Sequence, residues 1–299
     1  MAELKEPVLD RWIRGQKWMD SWAEFIQKLV GGIYGALGTP GQWLKTLMHG
    51  TPVLGHPLHP ALTDVPLGAW SVAVVAYLLA LATPRVPPLA GDIAMIVGVL
   101  SALLAAVAGY TDFHETYEQE RRVALTHGLL MTAVILVEAL ALLLRLGGPA
   151  TFPLAVALAT LATLVGAFGA YFGGHLTFGL GTGVNHNAYA QGPEDFVAVG
   201  SAKEFAEGKP KKVRAGDMTA LVLRHQGRLY AIGSVCSHAG GPLEEGELDG
   251  DVVTCPWHGS RFCVRDGRVR RGPATFRQPP FEVREHGGKV ELKLAYPLH

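Results

Sequence analysis

Four long apolar runs constrain the fold of this chain more than any other feature. They cover approximately residues 61–83, 91–111, 122–146 and 152–177. A helix that crosses the hydrocarbon core of a bilayer needs about 20 residues, and it satisfies its own backbone hydrogen bonds there. Neither Val65–Thr83 nor Ile93–Thr111 contains a charged residue. The sequence therefore predicts an all-α bundle of four transmembrane helices.

The charged residues are concentrated at the other end of the chain, where residues 191–299 hold 30 of the 52 charged side chains. Over the whole chain 26 basic residues balance 26 acidic ones. This balance leaves no excess of positive charge of the kind that binds a phosphate backbone. We therefore expect the lipid bilayer as a partner, no nucleic-acid partner, and a soluble C-terminal part.

The distribution of Lys and Arg predicts the orientation in the membrane. Residues 1–60 carry six of them and the loop 112–122 carries two, whereas each of the two opposite loops carries one. Basic loops stay on the cytoplasmic side, and residues 1–10 lack the pattern of a cleaved signal peptide. We predict a multi-pass protein of the cell membrane with its N-terminus and its C-terminal domain in the cytoplasm.

Two further patterns divide the chain into three parts. In residues 1–50, tryptophans and other apolar residues recur at mostly three- and four-residue steps among charged ones, which predicts an amphipathic segment on the membrane surface. The alternative is that this stripe packs on the protein's own soluble domain. From Phe196 onward, short apolar runs between glycine-containing turns predict a small antiparallel all-β domain. We place the bundle at 51–190 and the β domain at 191–299.

Two short motifs in the predicted β domain combine cysteine with histidine. The first, C-x-H, runs from Cys236 to His238, and the second, C-x-x-H, runs from Cys255 to His258. With Cys263 the chain has three cysteines, an odd number that makes a disulfide framework a poor explanation. Two thiolates and two imidazoles on paired loops can hold a tetrahedral zinc ion, so a structural zinc site is one alternative.

The order and spacing of these motifs resemble the Rieske [2Fe–2S] family. C-x-H followed about sixteen residues later by C-x-x-H-G is the family pattern, and the resemblance covers about residues 195–295. It implies that Cys236 and Cys255 bind one iron while His238 and His258 bind the other.

The resemblance also implies which residues surround the cluster. Gly272 and Pro273 match the proline loop that lies beside the cluster in this family. Ser260 keeps the hydroxyl that can donate a hydrogen bond to a cluster sulfur. These three residues are the expected surroundings of the cofactor.

The chain departs from the quinol-oxidising Rieske proteins at three positions. Gly241 and Trp257 stand where those proteins have a disulfide, and Phe262 stands where they have a tyrosine. The domain is therefore similar to the disulfide-free, ferredoxin-like branch, and its potential is expected in the lower part of the family range of about −150 to +300 mV. Cys263 matches no ligand position and is expected to be a small buried apolar residue.

Several histidines lie toward one end of the predicted bundle. His56 and His59 precede the first span, His127 lies about 7–8 Å into the third helix, and His175 lies near the end of the fourth. Ionisable residues at membrane depth are usually functional, and imidazoles from neighbouring helices are ligands of b-type haem. We predict a haem b with these four histidines as candidate ligands, ranking His127 with His175 first and adding a contribution from His59.

The segment before and within the first span allows another metal site. His56, His59 and Asp64 could supply the two histidines and one carboxylate of a non-haem iron. Such a site would make the protein a membrane oxygenase or desaturase with a fused Rieske donor.

The stretch HPLHPALTDVPLG, the Thr126-His127-Gly128 segment and the Gly173-Gly174-His175 segment resemble the four-span bacterial membrane domains described as DUF2231. This resemblance covers about residues 50–190. It implies a bundle with clustered histidines and brings no assigned activity.

The predicted whole is a multi-domain membrane protein in which a transmembrane helical bundle precedes a small all-β Rieske domain. The favoured function is electron transfer: a cytoplasmic donor, such as a ferredoxin or a flavoprotein reductase, reduces the cluster, which passes the electron to a haem or quinone. A redox sensor is a further alternative. A second haem near Asp92 is not expected, and whether the protein is an oxidoreductase enzyme or forms a homo-oligomer stays open.

Overall fold

The computed structural model describes residues 8–51 and 54–295 and divides into two compact units. The first unit comprises the chain up to Leu44 together with Leu58–Thr182. The second comprises Lys45–Pro57 together with the chain from Gly183 onward. Residues 1–7 of the predicted N-terminal segment lie outside the described residues. The short stretch Lys45–Pro57 thus groups with the C-terminal unit, although it precedes the first membrane span.

The first unit is helical, and its four long helices confirm the predicted bundle. Each is long and apolar enough to cross a membrane. The helices are α1 Val8–Arg14, α2 Met19–Ala36, α3 Gly38–Met48, α4 Leu58–Ala82, α5 Leu89–Phe113, α6 Glu118–Leu146 and α7 Phe152–Gly174, with a π-helical turn at His175–Gly179. The last turn of α3 belongs to the second unit.

The four long helices form a closed ring in which α4 packs on α5, α5 on α6, α6 on α7 and α7 on α4. Their outward faces expose leucine, valine and isoleucine along the whole length, as lipid-facing helices do. Their inward faces carry a small number of large side chains against small ones. A Cβ on Gly98 would lie 2.5 Å from the buried Trp70 ring, so α4 and α5 approach closely only because residue 98 is glycine.

The amphipathic helix α2 packs on the bundle through one face and leaves its other face open. Ala23 is fully buried, the Tyr34 hydroxyl lies 2.6 Å from Thr111 Oγ1, and Arg122 forms a two-point ion pair with Asp20. Trp22 on the opposite face is 59% exposed. Trp12, Trp18, Phe25, Leu29 and Ile33 share that exposure. The buried face contacts the bundle and the aromatic face is exposed, so contact of that face with the membrane surface stays a prediction.

The second unit contains the predicted small antiparallel β domain, built from two sheets. The strand order is β1-β10-β9-β4-β3-β2 in one sheet and β5-β6-β7-β8 in the other. The strands are β1 Val197–Ser201, β2 Lys211–Ala215, β3 Met218–His225, β4 Arg228–Gly233, β5 Glu247–Asp249, β6 Val252–Thr254, β7 Arg261–Cys263, β8 Val269–Arg271, β9 Pro280–His286 and β10 Lys289–Leu294. Buried apolar side chains of β3, β4 and β6 fill the space near the loops that carry the Cys–His motifs.

Candidate metal centres

The two Cys–His motifs occupy two loops that fold in the same way. In each loop the cysteine N–H donates to the carbonyl five residues later, Gly241 for Cys236 and Ser260 for Cys255, both at 2.8 Å. In each loop the N–H four residues after the cysteine donates back to the cysteine carbonyl. That fourth residue, Gly240 or Gly259, has a φ of 78° or 70°, which favours glycine. The shared spacing C-x₃-G, visible in the sequence, encodes two matched turns.

These turns place the two cysteine sulfurs together in the interior. Cys236 and Cys255 are buried, and their side chains hydrogen-bond to each other. This bond, together with burial, raises the pKa of Cys236, and the same bond lowers the pKa of Cys255. Two cysteine sulfurs that meet in the interior can bind a metal ion, which displaces their protons.

The two histidines form a second pair nearer the surface. The Nδ1 atoms of His238 and His258 lie 3.2 Å apart, and their rings are nearly perpendicular with centroids 4.9 Å apart. Both side chains are half-buried, whereas both cysteines are buried. The sulfur side therefore faces the core and the imidazole side faces outward.

This arrangement of two separate pairs does not match a single tetrahedral ion. Among the described residues, no three His, Cys, Asp or Glu side chains converge on one metal position. A zinc site would need all four ligands around one point. A cluster with two irons needs one cysteine pair and one histidine pair, so the donor set fits a [2Fe–2S] group.

The proline loop is attached to the cluster loops by hydrogen bonds. The Ala274 N–H donates to Ser260 Oγ at 3.0 Å, which leaves the Ser260 hydroxyl hydrogen available for another acceptor. The Ser237 hydroxyl donates to the Phe276 carbonyl at 2.6 Å. Ser260 is fully buried. The loop that carries Gly272 and Pro273 is thus tied to the second motif through Ser260 and to the first through Ser237.

Sequence patterns did not indicate that His49 and Thr51 pack on this same loop. The Thr51 hydroxyl donates to the Ala274 carbonyl at 2.7 Å, and both Thr51 and His49 are buried. A Cβ on Gly272 would lie 3.5 Å from the His49 ring and 3.6 Å from Thr51 Oγ1. No local pattern in the sequence marks this contact, since more than 200 residues separate its two sides.

An open cleft of about 490 Å³ lies beside His258 within the second unit. Its walls come from the 45–57 segment and from the strands of the smaller sheet. Lys45, His49, Glu247, Asp249, His258, Arg261 and Arg271 are among its lining residues. Trp257, beside the ligand histidine in sequence, is 52% exposed. The histidine side of the loops therefore opens toward a partly cationic and partly aromatic surface.

A second histidine pair lies in the first unit, at the α4 start and the adjacent part of α6. The rings of His59 and His127 have centroids 6.1 Å apart and an interplanar angle of 76°. His59 Nδ1 lies 2.8 Å from the Ala105 carbonyl, and His127 Nδ1 lies 3.0 Å from the Gly169 carbonyl. A carbonyl oxygen only accepts, so each Nδ1 carries a hydrogen, and in the neutral form of such a ring the lone pair is on Nε2.

Glycines make room for both of these rings. A Cβ on Gly109 would lie 2.8 Å from the His59 ring, and a Cβ on Gly173 would lie 3.3 Å from the His127 ring. Each glycine stands four residues after the carbonyl that the imidazole contacts. The missing Cβ exposes that helix carbonyl, so α4–α5 and α6–α7 hold their histidines by the same device.

The other predicted bundle ligands do not join this pair. His175 lies in the π-helical turn, with its Nδ1 2.7 Å from where a Cβ on Gly179 would be. His56 is exposed, belongs to the second unit, and its Nδ1 contacts the Pro57 carbonyl. Asp64 is exposed on α4. The triad of His56, His59 and Asp64 stays a prediction, because its residues are divided between the two compact units.

Comparison with known proteins matches both parts of the chain. A family model described as "Rieske [2Fe-2S] domain" matches residues 195–282, and one described as "Predicted membrane protein (DUF2231)" matches residues 55–186. The Rhodococcus jostii (strain RHA1) protein "Biphenyl 2,3-dioxygenase, ferredoxin component" is 35% identical over 94 residues, covering 31% of this chain and 88% of that protein.

Other matches cover only a part of larger proteins. The Rhodococcus rhodochrous protein "3-ketosteroid-9-alpha-monooxygenase, oxygenase component" is 31% identical over 112 residues, 36% of this chain and 29% of that protein. A chain in the solved structure "Complex of reduced oxygenase and oxidized ferredoxin in carbazole 1,9a- dioxygenase" is 32% identical, with a TM-score of 0.33 over 35% of this chain and 99% of that chain. This chain therefore spans less than a third of the oxygenase component.

The C-terminal domain thus belongs to the Rieske [2Fe–2S] family. The chain joins this domain to a predicted membrane domain of the DUF2231 family, which precedes it as the sequence motifs predicted.

Proposed function

We propose that this protein is a membrane-bound electron-transfer protein in which Cys236, His238, Cys255 and His258 hold a Rieske cluster. The observation that carries the proposal is the separation of these residues into a buried sulfur pair and a partly exposed imidazole pair, on two loops of one geometry. When bound, the cluster supplies one-electron transfer at a potential set by its ligands and hydrogen bonds. The Rieske relatives that this chain spans almost completely are ferredoxin components.

The residues of the chain control access to the cluster. The cysteine side is closed by the apolar side chains of the second unit, and Gly241 leaves no space there, because a Cβ would lie 2.8 Å from Cys255 Sγ. The histidine side opens into the cleft at His258. Electron exchange with a donor therefore takes place through the imidazole edge. Exposed Trp257 and the cations Lys45 and Arg271 suit a partner with an acidic and aromatic surface, such as a ferredoxin or a flavoprotein reductase.

His59 and His127 are the proposed ligands of a second redox centre, and haem b is its first candidate. The two rings lie edge to face with centroids 6.1 Å apart, so they would hold such a group between α4 and α6. Each Nδ1 contacts a helix carbonyl, which is the usual support of a ligand histidine and would leave Nε2 for the metal. A quinone bound between the same rings is the alternative.

The proposal includes the orientation of the protein in the membrane. The excess of Lys and Arg before α4 and between α5 and α6 favours a cytoplasmic location for both chain ends. The His59 and His127 end of the bundle then lies on the cytoplasmic side, and the donor is a cytoplasmic protein.

The test is spectroscopy of the solubilised full-length protein, oxidised and then reduced with dithionite. Low-temperature EPR should show a reduced cluster, and a pyridine haemochrome assay should show stoichiometric haem b that is missing from His127→Leu. Zinc in place of iron would overturn the proposed ligand set. A cluster with neither haem nor extractable quinone would overturn the second centre while leaving the first intact.

A further inference from the structure

One titratable side chain in the centre of the bundle has no place in the electron-transfer proposal. Glu138 of α6 is fully buried, at 0% exposure. Its Oε1 accepts a hydrogen bond from the Thr163 hydroxyl of α7 at 2.9 Å. Its Oε2 is buried and finds no hydrogen-bond partner among the described residues. The buried core contributed by the same two helices is apolar and includes Val134, Ile135 and Ala141 of α6 and Ala159 and Ala162 of α7.

Among the residues that the structure describes, no Lys or Arg side chain forms an ion pair with Glu138. Arg145, seven residues later on α6, lies about 10.5 Å farther along the helix axis. Its guanidinium is already held by Asp92, with Nε 2.9 Å from Oδ1 and Nη2 3.0 Å from Oδ2, and it stacks over Phe152. A carboxylate with one hydrogen bond in apolar surroundings is unfavourable by several kcal/mol, whereas a protonated carboxyl group is far less so. Glu138 is therefore expected to hold a proton.

Polar groups connect this site with the end of the bundle that carries Asp92. The Tyr77 hydroxyl of α4 donates to Asp92 at 3.0 Å, and Tyr77 lies within electrostatic reach of both Asp92 and Glu138. Asp92 and Arg145 are each about one fifth exposed, so they can contact water at the membrane boundary. In the other direction along α6, Thr132 pairs with the Tyr110 hydroxyl at 2.8 Å.

We propose that Glu138 is a proton-binding site that exchanges its proton with the side of the membrane at which Asp92 and Arg145 lie, through Tyr77. Thr163 of α7 acts on Glu138 through a hydrogen bond and Tyr77 of α4 through an electrostatic interaction, with Asp92 of α5 and Arg145 of α6 nearer the helix ends. The ligand is the proton, and no redox partner is required for it to bind. The proposal goes beyond electron transfer and does not depend on which centre the bundle holds.

Infrared spectroscopy of the full-length protein in lipid tests the site. At neutral pH the wild type should show the C=O stretch of a protonated carboxyl, which Glu138→Gln removes. Thr163→Val should move that band to higher frequency, because it loses a hydrogen bond while the carboxyl remains. Glu118→Gln, at an exposed position of the same helix, is the matched control and should leave the band in place. Persistence of the band in Glu138→Gln, or a carboxylate band lost instead, would overturn the proposal.

Exchange into D₂O tests the route separately from the site. The band should shift on exchange in the wild type, and Tyr77→Phe, which removes only the hydroxyl, should slow that shift several-fold. A band that never exchanges, or exchange that is unchanged in Tyr77→Phe, would show that the proton does not travel through Tyr77. If Glu138→Gln does not fold, Thr163→Val still tests the site. That variant keeps both Glu138 and Tyr77, so a shifted carboxyl band in the folded Thr163→Val protein would identify Glu138 as the protonated group.

Discussion

The two histidine pairs of this protein present opposite ring nitrogens. In the β domain, the Nδ1 atoms of His238 and His258 face each other at 3.2 Å. In the bundle, the Nδ1 atoms of His59 and His127 are each bound to a helix carbonyl. The turns of the β domain bring the nitrogens nearer the backbone together, whereas the helices hold those nitrogens on carbonyls. The backbone around a histidine therefore decides which nitrogen is available to a metal.

The largest predicted effect is loss of the cluster by substitution of one of its cysteine ligands. Cys236→Ser should abolish the cluster EPR signal and the two irons per chain, because one iron loses a thiolate ligand. Cys263→Ser is the matched control, since Cys263 is equally buried and its sulfur lies 3.8 Å from Asp251 Oδ2. It should keep the cluster. Iron analysis and EPR check both variants, and retention of a normal signal in Cys236→Ser would contradict the ligand assignment.

Substitution of the paired histidines in the bundle should remove the haem and leave the cluster unchanged. His59→Leu and His127→Leu should each remove the haem absorption while the cluster EPR signal stays at wild-type intensity. His175→Leu, at the same end of the bundle but outside the pair, should retain the haem. If His59→Leu and His127→Leu retain the haem and His175→Leu loses it, the ligands are a different pair from the one that the structure brings together.

A smaller effect is expected on the cluster potential. Ser260→Ala removes a hydroxyl that can donate to a cluster sulfur, and this bond is stronger in the reduced state because the sulfur is then more negative. A hydrogen bond of about 1 kcal/mol corresponds to about 40 mV for one electron, so the potential should fall by about that amount. Potentiometric titration followed by EPR measures it, with Ser260→Thr as the control that keeps a hydroxyl. A rise in potential would contradict this role.

The segment before the first span should have a smaller but measurable effect on how tightly the cluster is held. Thr51→Val removes the hydrogen bond to the Ala274 carbonyl and leaves that buried acceptor without its donor, which costs about 1–3 kcal/mol. The cluster should form but be released faster to an iron chelator. Thr51→Ser, which keeps the hydroxyl, should release iron at the wild-type rate. Equal release rates in all three proteins would show that this contact does not stabilise the proline loop.

The smallest predicted effect concerns the attachment of α2. Hydrogen bonds from Arg122 hold the pKa of Asp20 below its usual value, so Asp20 contributes stability above its unfolded pKa of about 3.9, and this contribution is lost as the pH falls through the folded pKa. Asp20→Asn should lower the melting temperature by about 2 °C at pH 7. Melting curves at several pH values should show the difference vanishing in acid, whereas a constant difference would mean that charge is not involved.

Local pattern was sufficient for several parts of the molecule. The four spans followed from the absence of charge over Val65–Thr83 and Ile93–Thr111, and the β domain followed from short runs and turns. The Cys–His motifs were recognisable because each ligand set lies within one turn, and the glycine four residues after each cysteine belongs to the same signal. Periodicity and turn chemistry act over a few residues, so a sequence shows them directly.

The pairing of histidines in the bundle could not be predicted from local sequence patterns. The sequence placed His59, His127 and His175 at one end of the membrane without showing which of their side chains meet. Only the packing of α4 and α6 in a closed ring brings His59 to His127, and only Gly109 and Gly173 open the carbonyls that fix their tautomers. Depth along a helix is a one-dimensional property, whereas pairing depends on rotation about each helix axis.

By itself, the sequence determined the membrane bundle, the Rieske domain and the candidate cluster residues, because each is encoded by neighbouring residues. Tertiary structure decided the rest: the contact of Thr51 with the proline loop, the pairing of His59 with His127, and the burial of Glu138 in the bundle. These features join residues that are distant along the chain. They depend on the close packing of side chains between elements, which hydrophobic pattern and spacing do not specify.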